Sequence, residues 1–370
     1  MSEPAVPGSP RATAMITAIG GVSVGEQILK ALRIAGGYRI VGVDMAEQCV
    51  NFEHVDEAFV VPCAADPAYL EALLTIAEAC GVQVLFPGSE AELKFLSDHR
   101  AEVAEAGILL PIAPREVIEI GMDKLRTAAF LDDHRFAHPR FARISRDVID
   151  EVDWYPVVVK PAVGGGGSMD CYIAQTPREL ECLAELMTDG ATGMMVQEYV
   201  GRPDAEFTVG VLHDLDGHFV NSIAIRRELH SVLNVRLRVP NRTSRSDLGP
   251  TLVLSSGFSQ GSVGGFEEVR TQCEAVAAAL GVRGPVNIQC RLVDGVVQIF
   301  EINPRYSGTT SLRAMVGYNE PDAMVRRHLL GEVLTMRAPY RTSRIHRSLM
   351  ETIVPSSPAR PWTVTRAAAS

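Results

Sequence analysis

The stretch YPVVVKPAVGGGGSMDCYIA, residues 155–174, joins an apolar run to a loop that is almost free of side chains. The run ends at Lys160 and Pro161, and four glycines and a serine follow from Gly164 to Ser168. Bare backbone amides can surround phosphate oxygens, because each N–H is a donor and no Cβ keeps the ligand away. A lysine at the end of a strand can direct its charge at the same phosphates. The stretch alone leaves two interpretations open, a phosphate-binding loop and a flexible surface turn with a solvated lysine.

Two familiar nucleotide motifs are absent from the sequence. The loop lacks the G-K-[S/T] ending of a P-loop. Near the N-terminus, Gly20, Gly21 and Gly25 do not have the G-x-G-x-x-G spacing of a dinucleotide fingerprint, although Asp44 closes the second predicted strand. NAD binding is therefore disfavoured, and we expect a Rossmann-like domain whose strand ends face a different ligand.

Composition limits the class of protein. The 370 residues carry 35 Lys+Arg against 45 Asp+Glu, a net charge of −10, which disfavours a general nucleic-acid partner. No apolar run approaches the ~20 residues that a membrane span requires, and the opening residues lack the apolar core of a signal peptide. We expect a cytoplasmic protein with no nucleic-acid or membrane partner.

The order of predicted elements divides the chain. Residues 15–112 alternate strand and helix, which predicts a parallel, doubly wound α/β domain. Residues 113–196 hold a helix, the opening stretch and a second helix. Residues 197–355 are richer in strands, and their alternation and the turn DLDGH predict an antiparallel α+β lobe. Within that lobe, residues 236–265 are polar and rich in Gly, Ser and Arg, which indicates a mobile surface loop. Residues 1–14 and 356–370 are interpreted as disordered tails.

Polar residues on two late strands indicate a metal site. Gln289 lies on one strand, and FEINPR supplies Glu301, Asn303 and Arg305 on the next. Because residues two apart on a strand point to one face, Glu301 and Asn303 can offer two oxygens together. Mg²⁺ prefers one or two carboxylates together with phosphates and water. We expect Mg²⁺, with Mn²⁺ as an alternative, and expect Arg305 to meet the transferred phosphoryl group.

These motifs, in this order over residues 15–335, resemble the ATP-grasp superfamily and most closely the carbamoyl-phosphate synthetase large chain. The family implies a pre-ATP-grasp Rossmann-like domain followed by a two-lobed module. GMDK and VVVKPAVGGGGS resemble its two lysine motifs and glycine lid, QEYV its adenine hinge, and EFTVGVL its ribose-binding strand. The residues that the resemblance assigns to ATP are Lys124, Lys160, Gly164, Gly165, Gly166, Gly167, Ser168, Gln197, Glu198, Val200 and Glu206.

The metal strands also resemble those of the carbamoyl-phosphate synthetases, which implies Gln289, Glu301 and Asn303 as ligands. The chain departs from that pattern by having one ATP-grasp module and no amidotransferase or allosteric segment. Gln289 stands where many ligases of the superfamily use a second acid, which puts one of two possible Mg²⁺ sites in doubt.

The resemblance implies an ATP-dependent carboxylate–amine ligase that works through an acyl phosphate on an amino acid or small acid. The alternatives are a kinase that stops at the acyl or carbamoyl phosphate, and a non-catalytic ATP-binding protein. Expected partners are a small-molecule carboxylate and an amine, with a homodimer possible. Lys160, Arg305 and Arg313 are the expected catalytic residues. The candidates for contacting the substrate are Arg226, Arg227, Arg305, Ser307, Gly308 and Arg313. For Arg226 and Arg227 the alternative of charges on the sheet surface is favoured, and for Arg313 a structural role is equally open.

Overall fold

A computed structural model describes residues 10–164, 166–187, 193–349, 351 and 360–362. Its first unit is a parallel sheet in the order β3-β2-β1-β4, flanked by helices. Every residue of its central strand is buried, as expected for a strand that is covered on both faces. The elements are β1 (Ala12–Ile16), α1 (Val24–Ala35), β2 (Tyr38–Asp44), β3 (Glu57–Val60), α2 (Tyr69–Cys80), β4 (Val84–Phe86), α3 (Glu90–Asp98) and α4 (Arg100–Glu105).

The start of α1 lies directly against the end of β1. Ser23 caps the helix by accepting a hydrogen bond from the backbone N–H of Glu26 at 2.9 Å. A Cβ on Gly25 would lie 2.4 Å from the carbonyl oxygen of Thr17, so only glycine allows this approach. Because β1 begins at Ala12, residues 12–14 belong to the sheet and not to the predicted tail of residues 1–14; residues 1–9 are outside the described part.

A second, four-stranded antiparallel sheet has the order β5-β8-β6-β7. Strand β8, the last of the four along the chain, ends at Glu198 and pairs with β6, which carries Lys160. The sheet therefore extends two residues past the predicted boundary at 196. The elements are α5 (Arg115–Met122), α6 (Lys124–Asp133), β5 (Phe141–Arg143), α7 (Arg146–Glu151), β6 (Val157–Pro161), β7 (Tyr172–Ala174), α8 (Pro177–Met187) and β8 (Met194–Glu198).

The third sheet is antiparallel and six-stranded, in the order β15-β14-β9-β10-β13-β16. A separate hairpin, β11-β12, lies in the stretch 236–265 that was expected to be a mobile loop, so that expectation was wrong. The elements are β9 (Glu206–His213), β10 (Phe219–Arg227), β11 (Val235–Pro240), β12 (Thr251–Ser255), β13 (Gly261–Val263), α9 (Glu267–Ala279), β14 (Gly284–Val293), β15 (Val296–Asn303), α10 (Thr310–Met315), α11 (Glu320–His328) and β16 (Ser343–Ile345).

The described C-terminal residues return to the first unit. β17 (Arg360–Pro361) pairs in parallel with β3, so this part of the predicted tail 356–370 is an edge strand. Within the described ranges, no helix combines the length and apolar character needed to cross a membrane. The mixed α/β class and the parallel N-terminal sheet are as predicted.

One core connects the first unit to the end of the third sheet. Leu93 of α3, Val117 of α5 and Ile302 of β15 belong to the same buried apolar cluster. A Cβ on Gly121 would lie 2.3 Å from Pro304 Cδ, so α5 packs closely against the residue that follows β15. The strand that carries Glu301 and Asn303 is thereby held against the preceding helices.

Candidate functional site

A cleft lies between the four-stranded and six-stranded sheets. The space between its walls is about 670 Å³, including the part open to solvent. Side chains that lie far apart in the sequence meet there because β6 and β8 form one wall and β12, β14 and β15 the other. Its lining includes Lys124, Lys160, Ser168, Gln197, Glu198, Tyr199, Val200, Glu206, Ser255, Gln289, Arg291, Phe300 and Glu301.

Lys160 is a buried cation at the centre of the cleft. Its side chain is held by two acceptors: Nζ donates to Gln197 Oε1 at 2.7 Å and to the Phe300 carbonyl at 3.4 Å. Burial lowers the pKa of Lys160 to about 8, and the nearby Glu301 carboxylate partly offsets this. A lysine in this position gains strongly from an anion that replaces its lost hydration.

Lys124 and the glycine loop close the open side of the cleft. Lys124 Nζ donates to the Gly164 carbonyl at 2.6 Å, and its backbone N–H donates to Ala162 at 2.8 Å. Ser168 Oγ donates to the Ser255 carbonyl at 2.7 Å, which fastens the end of the loop to β12. Gly167 has φ 69°, a conformation that glycine adopts without strain. A Cβ added to Gly166 would have no atom within 4 Å. Gly165 lies outside the described residues.

The end of β8 and the residues that follow it form the far end of the cleft. The Glu198 carboxylate accepts hydrogen bonds from Arg140 Nε at 2.8 Å and Arg245 Nη1 at 3.2 Å. Although burial opposes the change, these two arginines lower the pKa of Glu198. The Glu198 N–H donates to the Arg140 carbonyl, and the Val200 carbonyl accepts from Arg291 Nη1 at 3.1 Å. One backbone group of each of these two predicted adenine-binding residues therefore has a protein partner.

Glu206 has a different environment from the one predicted for a ribose-binding acid. It is buried between two arginines, with Oε1 3.0 Å from Arg227 Nη1 and Oε2 2.9 Å from Arg291 Nη2. Burial opposes ionisation, but the charges of Arg291 and Arg227 lower the pKa of Glu206. Arg291 also stacks over the Tyr199 ring at 4.4 Å. Since Arg227 is buried in this group, its expected role in holding a substrate carboxylate was wrong.

The metal strands place Gln289 beside Glu301, and Glu301 and Asn303 line the same small hollow. Gln289 and Glu301 are opposite each other on β14 and β15, and Gln289 Nε2 donates to Glu301 Oε2 at 2.7 Å. Arg227 Nη1 lies 3.5 Å from Gln289 Oε1, which favours this orientation of the amide. In this arrangement Gln289 positions the Glu301 carboxylate, and its role as a metal ligand stays a prediction.

Glu301 and Asn303 fit the oxygen preference of Mg²⁺. One carboxylate and one amide oxygen are a donor set that this ion accepts when phosphates and water complete its shell. Asn303 Nδ2 is buried without a partner, and Asn303 Oδ1 accepts from Arg305 Nη2 at 3.0 Å. The unsatisfied Nδ2 is a donor, so it suits an anionic oxygen such as that of a phosphate, whereas only Oδ1, which now accepts from Arg305, could bind the metal.

Arg305 connects this strand to the first unit of the fold. Its Nη2 also lies 3.0 Å from Glu90 Oε1, at the start of α3. The Arg305 charge is the main cause of a lowered Glu90 pKa. A second, smaller hollow beside the main cleft is lined by Glu90, Lys124, Gly164, Glu301, Asn303 and Arg305.

The remaining predicted substrate residues do not form one site. Arg313 has no exposed surface, and its guanidinium contacts Glu320 Oε1 at 3.1 Å and Asn287 Oδ1 at 2.5 Å. Its predicted catalytic and substrate roles were therefore wrong. Arg226 is exposed, with its guanidinium 5.7 Å above the Phe266 ring.

Ser307 and Gly308 follow Arg305 in the loop that leaves β15. Ser307 is buried, and its Oγ lies 2.6 Å from Thr309 Oγ1, so it stabilises the loop. A Cβ added to Gly308 would lie 3.1 Å from the Gly257 carbonyl oxygen. The loop is therefore packed tightly beside residues 257–260.

Sequence reasoning missed several residues that shape the cleft. Arg291 follows NIQC directly, and a charged residue inside an otherwise apolar strand was a signal that it needed a buried partner. Tyr199 was visible in QEYV but was not assigned a role. Glu90 lies about two hundred residues from Arg305, and no local pattern links them.

Two family models match separate parts of the chain. Residues 16–111 match the PylC-like N-terminal domain, and residues 259–350 match the ATP-grasp of the biosynthetic pathway with the Ter operon. A carbamoyl phosphate synthase large chain from Beutenbergia cavernae is 25% identical over 305 residues, which cover 75% of this chain and 25% of that protein. The chain thus spans about a quarter of that relative's length.

Solved structures have the same fold at low sequence identity. The biotin carboxylase–β,γ-ATP complex from Campylobacter jejuni has a TM-score of 0.62 and 14% identity, covering 90% of this chain and 73% of that one. An L-amino acid ligase from Bacillus licheniformis has a TM-score of 0.60 and 16% identity, covering 87% and 75%. The chain has an ATP-grasp fold behind a PylC-like N-terminal domain, and its sequence is similar to carbamoyl phosphate synthase large chains. The predicted resemblance is confirmed.

Proposed function

We propose that this chain is an ATP-dependent carboxylate–amine ligase that forms an amide or peptide bond through an acyl phosphate. The observation that carries the proposal is the meeting of Lys160 with the Phe300–Glu301 segment across the cleft. A buried lysine, a carboxylate–amide pair and a glycine loop around one hollow are suited to a magnesium triphosphate. The ATP-grasp fold and the similarity to carbamoyl phosphate synthase chains support the same class.

The proposed first step is transfer of the γ-phosphoryl group to a substrate carboxylate. A carboxylate oxygen attacks the γ-phosphorus, the bond to the β-phosphate oxygen breaks, and ADP leaves. ATP would supply the phosphoryl group, and Mg²⁺ would neutralise part of the phosphate charge. Glu301 and Asn303 would hold the metal. Phosphoryl transfer depends mainly on positioning and charge stabilisation. Lys124, Lys160 and Arg305 supply the cationic groups.

The proposed second step joins the acyl group to an amine. The amine nitrogen attacks the acyl carbon, inorganic phosphate leaves with the electron pair of the C–O bond, and the amine proton passes to solvent or phosphate. An acyl phosphate is hydrolysed readily, so water must be kept away. The loop from Gly164 to Ser168, fastened to β12 through Ser255, is in place to exclude it.

The proposed partners are a small carboxylic acid and an amine. The name of the L-amino acid ligase from Bacillus licheniformis supports amino acids as the first class to test. The domain limits that we propose are a first unit to about residue 112, a lid-bearing lobe to about 198 and a metal-bearing lobe to about 349.

The decisive experiment incubates the protein with ATP and Mg²⁺ and screens amino acids, small acids and bicarbonate for ADP release. Mass spectrometry then identifies any condensed product. Glu301→Ala and Lys160→Ala should each lower ADP release by about 100-fold or more, because each removes preorganised charge stabilisation. Lys94→Ala is the matched control, since Lys94 is an exposed residue paired with Asp98 on α3. Near wild-type turnover in either site variant would refute the site assignment.

Two further outcomes separate the alternatives. ADP release without an amine, together with a hydroxamate formed on adding hydroxylamine, would indicate a kinase that stops at the acyl or carbamoyl phosphate. Tight ATP binding with no ADP release over the whole panel would indicate a non-catalytic ATP-binding protein. A condensed amide that requires both partners supports the ligase.

A further inference from the structure

Arg347 is a partly buried arginine at a place where three parts of the chain meet, and it has no acidic partner among the described residues. It follows β16 and reaches the first unit, where Nη2 donates to Gln27 Oε1 of α1 at 3.0 Å. The same Nη2 donates to the Gly308 carbonyl, in the loop that leaves the metal strand. The Arg347 backbone N–H donates to Gln260 Oε1 at 3.2 Å. The guanidinium is therefore fixed in position by neutral groups.

The charge of Arg347 is not compensated. Among the described residues, no carboxylate lies within ion-pair distance of it, and Nε is buried without a hydrogen-bond partner. Burial lowers the pKa of Arg347, the Glu26 carboxylate partly opposes this, and the Arg227 charge reinforces it. Burying an unpaired charge is costly, so a fixed and partly buried guanidinium favours an incoming anion.

The other buried arginines of this lobe do not share this property. Arg227 and Arg291 both pair with Glu206, and Arg313 pairs with Glu320. Each of these charges has a buried acid partner. Nε of Arg227 and of Arg313 also lacks a hydrogen-bond partner, so Arg347 differs from them by its unpaired charge. Because Nη2 is used by Gln27 and Gly308 and Nε is buried, Nη1 is the donor that an incoming carboxylate can reach.

Arg347 is also close to the proposed reaction centre. Its partner Gly308 lies three residues after Arg305, and a Cβ on Gly308 would lie 3.1 Å from the Gly257 carbonyl oxygen. A Cβ on Gly257 would in turn lie 3.2 Å from Cα of Gly167 in the lid. A chain of direct contacts thus connects Arg347 to the exit of the metal strand and to the closed lid.

We propose that Arg347 binds a carboxylate group of the substrate at the place where α1, the loop at Gly308 and Gln260 meet. The inference rests on the proposed ligase function and names its specificity-determining arginine. The anion is the carboxylate of the acid to be activated or of an amino acid that supplies the amine. Arg347 takes the place that sequence reasoning gave to Arg227 and Arg313.

The test measures binding and turnover in parallel. Thermal shifts are recorded for the intact protein with MgADP and, one at a time, the twenty L-amino acids, acetate, succinate and bicarbonate. For each amino acid that raises the melting temperature, the corresponding amino acid amide is the matched probe without a carboxylate. We expect the carboxylate to stabilise the wild-type protein and the amide to stabilise it far less.

Arg347→Gln should weaken the binding of that carboxylate, and raise its KM where turnover is seen, by about 10- to 100-fold. The KM for ATP and the thermal shift with MgADP alone should stay near wild type. Arg344→Gln is the matched control, because Arg344 lies three residues earlier, on β16, and pairs at the surface with Glu228. Arg347→Lys keeps the charge without the planar fork and should fall between the two.

The outcomes separate this inference from the proposed function. If ADP release and condensation occur but Arg347→Gln has the wild-type KM and carboxylate affinity, the ligase stands and the role of Arg347 is refuted. If no carboxylate in the panel shifts the wild-type melting temperature, the role of Arg347 is also refuted. If a carboxylate binds through Arg347 but no ADP is released, the anion site stands and the ligase proposal fails.

Discussion

Lys160 is a cation held almost entirely out of water beside an acid that it does not directly contact. Burial disfavours its charged form, so its pKa falls from 10.5 to about 8. Below about pH 8, Lys160 is charged in the folded and in the unfolded protein, so burying the charge lowers the free energy of unfolding by its full amount. As pH rises from about 8 to 10.5, the unfolded chain keeps a proton that the folded chain has lost, so folding becomes more favourable.

Activity should respond to pH in the opposite direction. Because neutral Lys160 cannot stabilise phosphate charge, kcat/KM for ATP should fall as pH rises through about 8. The measurement is kcat/KM for ATP from pH 6.5 to 9.5. Lys160→Arg should remove this basic limb, since a guanidinium remains charged over the whole range. A wild-type limb that persists unchanged in Lys160→Arg would show that another group titrates.

At the residue scale, spacing predicted some of the site but not the partners of its charges. Glu301, Asn303 and Lys160 were predicted because strand alternation and glycine-loop chemistry are local properties. Arg227 and Arg313 were misassigned because a sequence does not show which arginine finds a buried acid. Glu206 and Glu320, which they pair with, come together only through sheet pairing and helix packing.

At the element scale, the strand–helix alternation of the first unit predicted its sheet and helices closely. The hairpin β11-β12 was missed, although VRLRVP at 235–240 alternates apolar and charged residues as a half-buried strand does. The polar turn between the two strands dominated the composition of the region. The site depends on this hairpin, because β12 provides Ser255, the acceptor that fastens the lid.

The contact between α5 and the end of β15 should be essential for the geometry of the site. Gly121→Ala would place a Cβ 2.3 Å from Pro304 Cδ, so α5 must move away from the strand that carries Glu301 and Asn303. We expect a loss of about 1–3 kcal/mol in the free energy of unfolding, as for other overpacked sites, together with lower ADP formation. Urea denaturation and the ADP assay measure both effects.

Gly265→Ala is the control for this substitution. Its added Cβ would meet no atom within 4 Å, and Gly265 has no left-handed φ, so stability should change little. Equal stability of the Gly121→Ala and wild-type proteins would contradict the packing argument.

At the scale of the whole molecule, the first unit contributes directly to the site. Glu90 begins α3 of the parallel sheet unit, and its carboxylate holds Arg305 at 3.0 Å. Helices α5 and α6 pack on the third sheet, so the first unit and this sheet are joined by a common buried core as well as by the chain that connects them. The sequence predicted the units and their order, but it contained no signal for this contact between them.

Glu90→Gln should impair turnover more than folding. The substitution removes the charge that holds Arg305, so kcat for ADP formation should fall about 10-fold while the KM for ATP changes less. The melting temperature should remain near wild type, because the pair lies at the edge of a hollow and not in the core. Glu119→Gln is the control, since its exposed pairs with Arg115 and Arg126 should contribute little. A kcat equal to wild type for Glu90→Gln would show that Arg305 needs no such support.

The pairing of Glu90 with Arg305 also bears on how this chain can change during evolution. The first unit and the metal-bearing lobe should evolve together, because Glu90 of the first unit positions Arg305 of the lobe. Replacing the first unit with one from another protein removes this acid. Recombination at the junction near residue 112 should therefore give an active protein only when the incoming unit carries an acid at the position of Glu90. Chimeras built at that junction, with and without such an acid, would reveal this inherited dependence.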